Sequence, residues 1–164
     1  MQQMVIYGVS FDLVGKQPIV LLKTAEGNKF LPIWIGHSEA AAILMKLQNN
    51  ESARPMTHDL FTDVLGQLDA RVARVTVTEL RENTFYAQIT LQQDGSEIEV
   101  DSRPSDAIAL AIRAEAPIFV ADEVIDESAI EFEGEEINEE EMVDEFKRFL
   151  DRVSPDEFAS DSDE

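Results

Sequence analysis

The chain of 164 residues contains no cysteine. Disulfide bonds, thiolate metal sites and cysteine nucleophiles are therefore excluded. No apolar run is long enough to span a bilayer, and the first residues lack the basic segment and apolar stretch of a signal peptide. These absences predict a cytoplasmic protein that makes no use of a membrane.

Basic residues are scarce: Lys and Arg number 13 against 34 Asp and Glu, giving a net charge of −21. Residues 1–121 hold 10 basic and 15 acidic residues, whereas residues 122–164 hold 3 and 19. A surface of this sign repels phosphates and gains nothing from counterion release. The composition therefore argues against nucleic-acid binding through a basic groove, and solubility, for example in a salty cytoplasm, explains the acidic excess.

The apolar pattern predicts an α+β fold with two antiparallel or mixed strand clusters, each followed by buried helices. The first cluster has strands at residues 7–13, 19–22 and 30–35. Because Pro32 cannot donate to a strand ladder, the third strand is expected at an edge or with a bulge. A helix capped by Ser38 follows, and it is apolar nearly all round. Such a helix needs neighbours on several sides, which favours a homo-oligomer, with a dimer as the simplest case.

The second half begins with a helix that Thr57 is expected to cap. Its apolar residues fall at helical spacing and predict one buried face: Leu60, Phe61, Val64, Leu65 and Leu68. An antiparallel meander at residues 72–78, 85–91 and 98–100 comes next, then a helix at 107–114 and a strand at 118–120.

The C-terminal part has an apolar stripe that predicts an amphipathic helix at about residues 138–153. The acidic, polar residues 154–164 are expected to be a disordered tail. We therefore predict one domain over residues 1–153.

Two helix starts, at residues 54–59 and 101–106, combine an Arg-Pro pair with a hydroxyl and one or two Asp residues. Arginine can hold a phosphate through two parallel hydrogen bonds, and carboxylates can bind Mg²⁺ or Mn²⁺. The alternative is structural, because Pro, Thr or Ser, and Asp are what an ordinary helix start contains. The spacing leaves both interpretations open.

Two single side chains have similar pairs of interpretations. His58 could move a proton in catalysis or donate to a backbone carbonyl. Glu39 could point into the same cleft or simply face the positive end of its helix dipole. His37 is expected to be an exposed loop residue. The aromatic residues Trp34 and Tyr86 could stack on bases, but each lies in a strand pattern of apolar neighbours, which favours packing in the core.

Several motifs in order resemble the bifunctional nuclease (BFN) domain over residues 4–158. They are Leu-Pro-Ile-Trp-Ile-Gly at 31–36, Glu-Ala at 39–40, Arg-Pro-Met-Thr-His-Asp-Leu at 54–60, Thr-Phe-Tyr-Ala at 84–87, and Val-Asp-Ser-Arg-Pro-Ser-Asp-Ala-Ile-Ala-Leu-Ala at 100–111. Ser102 stands where Ala is commoner in the family.

The resemblance implies a compact α+β domain that forms oligomers and cleaves DNA and RNA, as plant members are described to do. Its motif residues are Glu39, Arg54, Thr57, His58, Asp59, Asp101, Arg103, Ser105 and Asp106.

The first hypothesis is a metal-assisted nuclease. Asp59, Asp101, Asp106 and Glu39 would hold Mg²⁺ or Mn²⁺. The catalytic residues would be His58 as proton carrier, Asp59, and the phosphate-binding Arg54 and Arg103. No organic cofactor is expected. The second hypothesis is a non-catalytic, oligomeric interaction or regulatory module that binds a small anion.

Overall fold

The computed structural model describes residues 1–10 and 17–131, which form one mixed sheet covered by helices. The strands are β1 (Gln2–Ser10), β2 (Ile19–Thr24), β3 (Lys29–Trp34), β4 (Ala70–Arg81), β5 (Thr84–Gln93), β6 (Ser96–Ser102), β7 (Ile118–Val120) and β8 (Ile130–Glu131). The helices are α1 (His37–Leu47), α2 (Thr57–Gln67), α3 (Pro104–Ala114) and α4 (Asp122–Ser128). The predicted α+β class is confirmed.

The two predicted strand clusters are halves of a single sheet with the order β6-β5-β4-β7-β1-β2-β3-β8. Each half is an antiparallel meander, as predicted. The short strand β7 joins them, because it pairs in parallel with β4 and antiparallel with β1. This insertion makes the sheet mixed.

The first strand starts five residues earlier than its alternation indicated. Residues 2–4 pair with β7, which is distant in the sequence, at Ile118–Val120, and Met4 is fully buried. Residues 11–13 of the predicted strand lie outside the described residues. The expectation that Pro32 places the third strand at an edge or in a bulge is wrong: β3 lies between β2 and β8 and pairs with β2 in unbroken register, although the described part of β8 pairs with β3 at Lys29 and Phe30 and not at Pro32.

Helix α3 is the centre of the helical layer. Residues 107–111 are all buried, because α1 and α2 pack on either side of α3 and strands β4 and β5 lie beneath it. Its apolar surface therefore finds its neighbours within the same chain. Helix α1 is less covered, with Leu47 42% exposed at its last turn.

The predicted caps Ser38 and Thr57 are wrong. The N-cap of α1 is Gly36 and that of α2 is Met56, and neither helix has a side-chain cap of the predicted kind. At α2 the backbone N–H of Met56 donates instead to Asp59 Oδ2, at 3.0 Å. A carboxylate at the third helical position thus accepts from the N-cap N–H, which is a different donor from those that a capping hydroxyl would satisfy.

The predicted core face of α2 is also wrong in its direction. The stripe is present, but Leu60, Phe61, Val64 and Leu68 are 42–58% exposed, and only Leu65 is buried. The side that faces the molecule carries His58, Thr62 and Leu65, so of the predicted stripe only its Leu65 border is covered. Polar contacts from the first turn of α2 to α3, described below, hold the helix in this orientation.

The predicted helix at 138–153 and tail at 154–164 lie outside the described residues. Within the described ranges, no helix has the length and apolar character needed to cross a membrane.

Candidate functional site

The starts of α2 and α3, 48 residues apart in sequence, meet in space. His58 Nε2 lies 2.8 Å from Asp106 Oδ1, and the side chains are 13% and 29% exposed. An ionised carboxylate can only accept, so this hydrogen bond requires the proton on Nε2, and in a neutral imidazole Nδ1 is then the acceptor. The pair is therefore arranged as a histidine whose tautomer is fixed by an acid.

Arg103, the N-cap residue of α3, binds the second oxygen of Asp106. Its Nε donates to Oδ2 at 2.9 Å. Its Nη2 lies 2.7 Å from the same oxygen and 2.7 Å from Glu39 Oε1 on α1. Glu39, His58, Arg103 and Asp106, hereafter the His58 cluster, thus join three helices at one place. Arg103 is 65% exposed, so the guanidinium is its solvent-facing member.

Gly36 makes room for the carboxylate of Glu39. A β-carbon built on Gly36 would collide with Glu39 Oε2. The backbone conformation of Gly36 is extended and open to any residue, so what favours glycine here is the space that the Glu39 carboxylate occupies. The sequence Ile35-Gly36 followed by Glu39 therefore belongs to the site.

We expect Gly36→Ala to displace the Glu39 carboxylate and break its contact with Arg103. The free energy of unfolding should fall by about 1 kcal/mol or less, because only the end of a flexible side chain has to move. The nuclear magnetic resonance signal of the Arg103 Nε–H should nevertheless shift. Gly66→Ala is the control. Gly66 lies in α2 with open space around it, so alanine there should raise the free energy of unfolding by about 0.5–1 kcal/mol. An unchanged Arg103 signal in Gly36→Ala would contradict the steric argument.

Arg113, in the last turn of α3, is a residue that the sequence analysis missed. Its Nε donates to Asp59 Oδ1 at 2.7 Å, and its Nη1 and Nη2 donate to the carbonyls of Ala109 and Ala42 at 2.9 and 3.1 Å. Only 7% of its side chain is exposed. One buried guanidinium therefore ties α1 and α2 to α3. The only hint in the sequence is an arginine near the end of an otherwise apolar helix. Because a basic residue in the last turn of a helix is common, this hint does not single out Arg113.

Adjacent residues of α2 reach the two ends of α3. His58 contacts Asp106 in the first turn and Asp59 contacts Arg113 in the last, which are about 10 Å apart along the helix. Both oxygens of Asp59 are engaged, one by Arg113 and one by the Met56 N–H. Asp59 therefore supports the position of His58 and does not share a pocket with Asp106.

The hydrogen bond from Arg113, together with that from the Met56 N–H, lowers the pKa of Asp59 below its usual value. A carboxyl group with a depressed folded-state pKa stabilises the protein above its unfolded pKa and loses that contribution as the pH falls. We expect urea unfolding to show that wild-type stability falls more steeply than that of Asp59→Asn as the pH is lowered below about 5, through the ordinary pKa range of aspartate. Parallel curves for the two proteins would contradict this linkage.

The other predicted site residues do not join the His58 cluster. Asp101 is exposed at the end of β6, and neither it nor Arg54 has an ion pair with any described residue. Thr57 is exposed, and Ser105 is buried in the first turn of α3. Among residues 1–10 and 17–131, no three Asp, Glu or His side chains are grouped closely enough to hold a metal ion.

A groove of about 440 Å³ lies between the end of α1, the loop that follows it, and α2. Arg113 and Asp59 line one side of it, and Met45, Asn50 and Pro55 line others. The buried ion pair that positions α2 is therefore also the wall of a concave polar surface.

Comparisons with known proteins agree on one family. The model of the bifunctional nuclease domain matches residues 20–133. An uncharacterized protein of Mycobacterium tuberculosis strain H37Rv is 40% identical over 159 residues, which cover 93% of this chain and 95% of that protein. Bifunctional nuclease 1 of Arabidopsis thaliana is 30% identical over 107 residues, covering 63% of this chain and 33% of the plant protein. Bifunctional nuclease 1 of Oryza sativa subsp. japonica is 30% identical over 105 residues, covering 62% and 32%.

Proposed function

Because the chain belongs to the bifunctional nuclease domain family, we propose that it hydrolyses phosphodiester bonds of DNA or RNA at the His58 cluster. The observation that carries the proposal is the 2.8 Å hydrogen bond between His58 and Asp106, whose other oxygen is bound by Arg103. A fixed imidazole beside an exposed guanidinium supplies a proton carrier and an anion-binding group at one place.

In the proposed reaction, Nδ1 of His58 takes a proton from water as the water oxygen attacks phosphorus. The P–O bond to the leaving group breaks, and the leaving oxygen takes up a proton from the imidazolium or from solvent. Asp106 holds the imidazole in one tautomer and stabilises its positive charge. The total charge and the number of protons are conserved.

Arg103 is the residue that we propose to contact the phosphate. Its guanidinium is exposed and has only carboxylate partners, so a phosphate must compete with Glu39 and Asp106 for it. Arg54, which is exposed and has no ion pair in the described part of the chain, is proposed as a second phosphate contact. Two arginines offset part of the unfavourable acidic field of the protein.

A divalent cation, Mg²⁺ or Mn²⁺, stays part of the proposal. Its candidate ligands are Glu39 and Asp106, because one oxygen of each lies 2.7 Å from the same nitrogen of Arg103, and the cation would have to displace that nitrogen from both oxygens. Asp59 and Asp101 do not join these two in the described residues, so the predicted four-carboxylate site is reduced to a pair. A bound cation would neutralise phosphate charge and acidify water.

The purified protein should be incubated with single- and double-stranded DNA and RNA, with Mg²⁺, with Mn²⁺ and with EDTA. Asp106→Asn and the exposed charge change Asp63→Asn should be assayed in parallel. We expect cleavage by the wild type and Asp63→Asn, and loss in EDTA and in Asp106→Asn. Cleavage that survives Asp106→Asn would come from a contaminant or another site, and would contradict the proposal.

A second candidate function, a non-catalytic oligomeric module, is favoured by the outward apolar face of α2. Leu60, Phe61, Val64 and Leu68 are large, exposed and on one side of the helix. A patch of this kind on a helix marks an interaction surface. If the face pairs with a second copy, sedimentation velocity should show a dimer that Leu60→Glu/Val64→Glu converts to a monomer.

A further inference from the structure

Strand β6 leaves an edge of the sheet open. It is the terminal strand in the described part of the chain, it is seven residues long, and residues 96–101 are all exposed. At the opposite edge, the described part of β8 is the two residues Ile130–Glu131. A long edge strand presents a row of unpaired N–H and C=O groups, and proteins usually shorten or cover such edges.

The side chains of β6 differ between its two faces. Ile98 and Val100 stand directly opposite Leu91 and Ile89 of β5, which are buried in the core. Ile98 and Val100 are themselves 45% and 37% exposed. They extend the apolar core face of the sheet beyond its helical cover. Protection of the strand edge against aggregation does not explain why Ile98 and Val100 are apolar.

The other face of β6 is acidic, with Glu97, Glu99 and Asp101 at alternate positions. Glu97 is neutralised by Arg74 of β4, with both oxygens bound at 3.1 Å. Glu99 and Asp101 have no ion pair in the part of the chain that the structure describes. These two carboxylates lie along the strand edge to which no described strand is paired, and of the two Glu99 also interacts electrostatically with Arg74.

This pattern selects among possible partners. A second copy of β6, paired antiparallel, would bring acidic side chains against acidic side chains, and like charges directly opposite one another destabilise a strand pair. A nucleic acid is repelled by the same charges. An extended segment with basic residues at one set of alternate positions and apolar residues at the other matches both faces of β6.

We propose that β6 is a strand-addition site for a protein segment in which basic and apolar residues alternate. Backbone hydrogen bonds to the edge supply affinity, as in other cases of strand addition to a sheet. The register follows from the side chains: basic residues face Glu99 and Asp101, and apolar residues cover Ile98 and Val100. This surface shares no residue with the His58 cluster, and the proposal does not depend on nuclease activity.

The test uses a fluorescein-labelled nine-residue peptide of alternating lysine and valine, titrated with the full-length protein and followed by fluorescence anisotropy. A peptide of the same composition with the lysines and valines in two blocks measures the effect of charge alone. We expect the alternating peptide to bind at least roughly tenfold more tightly, because only it can satisfy both faces in one register.

The variant Glu99→Lys/Asp101→Lys should lose roughly tenfold or more in affinity for this peptide and gain affinity for an alternating glutamate–valine peptide. Glu123→Lys/Glu127→Lys on α4 makes the same change in net charge at exposed positions and should bind like the wild type. Equal losses in both variants, or equal binding of the block peptide, would overturn the proposal by reducing it to general electrostatics. A dimer that forms through β6 when its acids are intact would overturn it in favour of self-pairing.

Discussion

Replacing His58 with alanine is expected to lower the rate of phosphodiester hydrolysis by roughly 10²–10⁴-fold, the range for loss of a general base. The expectation depends on the position of the ring. Its Nε2 is fixed on Asp106 at 2.8 Å, and the side chain is mostly buried, so no water can easily take over its role from the same place. The measurement is initial rate on a labelled oligonucleotide under the conditions in which the wild type cleaves.

Two matched variants separate catalysis from folding. His37→Ala removes the other histidine, which is exposed at the start of α1, and should leave the rate unchanged. Asp106→Asn keeps the shape of the side chain but removes the charge that fixes the tautomer, so its loss should be of similar order to that of His58→Ala. If His58→Ala is folded and cleaves at nearly the wild-type rate, the His58 cluster is not the catalytic centre.

The strand pattern and the apolar helix α3 could be predicted because they depend on local periodicity. Residues 72–78 and 85–91 alternate along strands that the structure extends by only a few residues. The early start of β1 could not be predicted, since residues 2–4 are strand because β7 lies beside them. Long-range pairing, and not local preference, decides such segments.

Helix α2 shows the limit of periodicity more sharply. The spacing of Leu60, Val64 and Leu68 correctly gives one face of a helix, but it does not say whether anything covers that face. The helix is oriented by two polar contacts of its first turn, at His58 and Asp59. These contacts depend on partners about fifty residues away, which a single sequence does not identify.

The candidate site could be predicted only in part, because it also depends on contacts between residues that are distant in the sequence. The residue types of the two Arg-Pro helix starts predict that both belong to the site. In the structure, His58 of one start contacts Asp106 of the other, and Asp106 is also bound by Arg103. The structure does not bring Asp59 and Asp101 together with them. Asp59 points toward Arg113, whose role depends on the packing of three helices and has no local signature.

Arg113→Met is expected to reduce the free energy of unfolding by about 2–4 kcal/mol. Removing one partner of a buried ion pair leaves the other charge uncompensated, which typically costs about 3–5 kcal/mol, and the partial exposure of Asp59 lowers that figure. The carbonyls of Ala42 and Ala109 also lose a charged donor. Urea unfolding at pH 7 measures the difference.

The matched control is Arg74→Met, which removes a partly exposed ion pair with Glu97 and should cost about 1 kcal/mol or less. The stability of Arg113→Lys should lie between those of the wild type and Arg113→Met. A single ammonium group cannot donate to the carboxylate and both carbonyls at once, as the planar guanidinium does. In a double-mutant cycle, Asp59→Asn should cost much less in the Arg113→Met background than in the wild type. Additive effects would mean that Arg113 stabilises the protein by packing alone, and that the orientation of α2 has another cause.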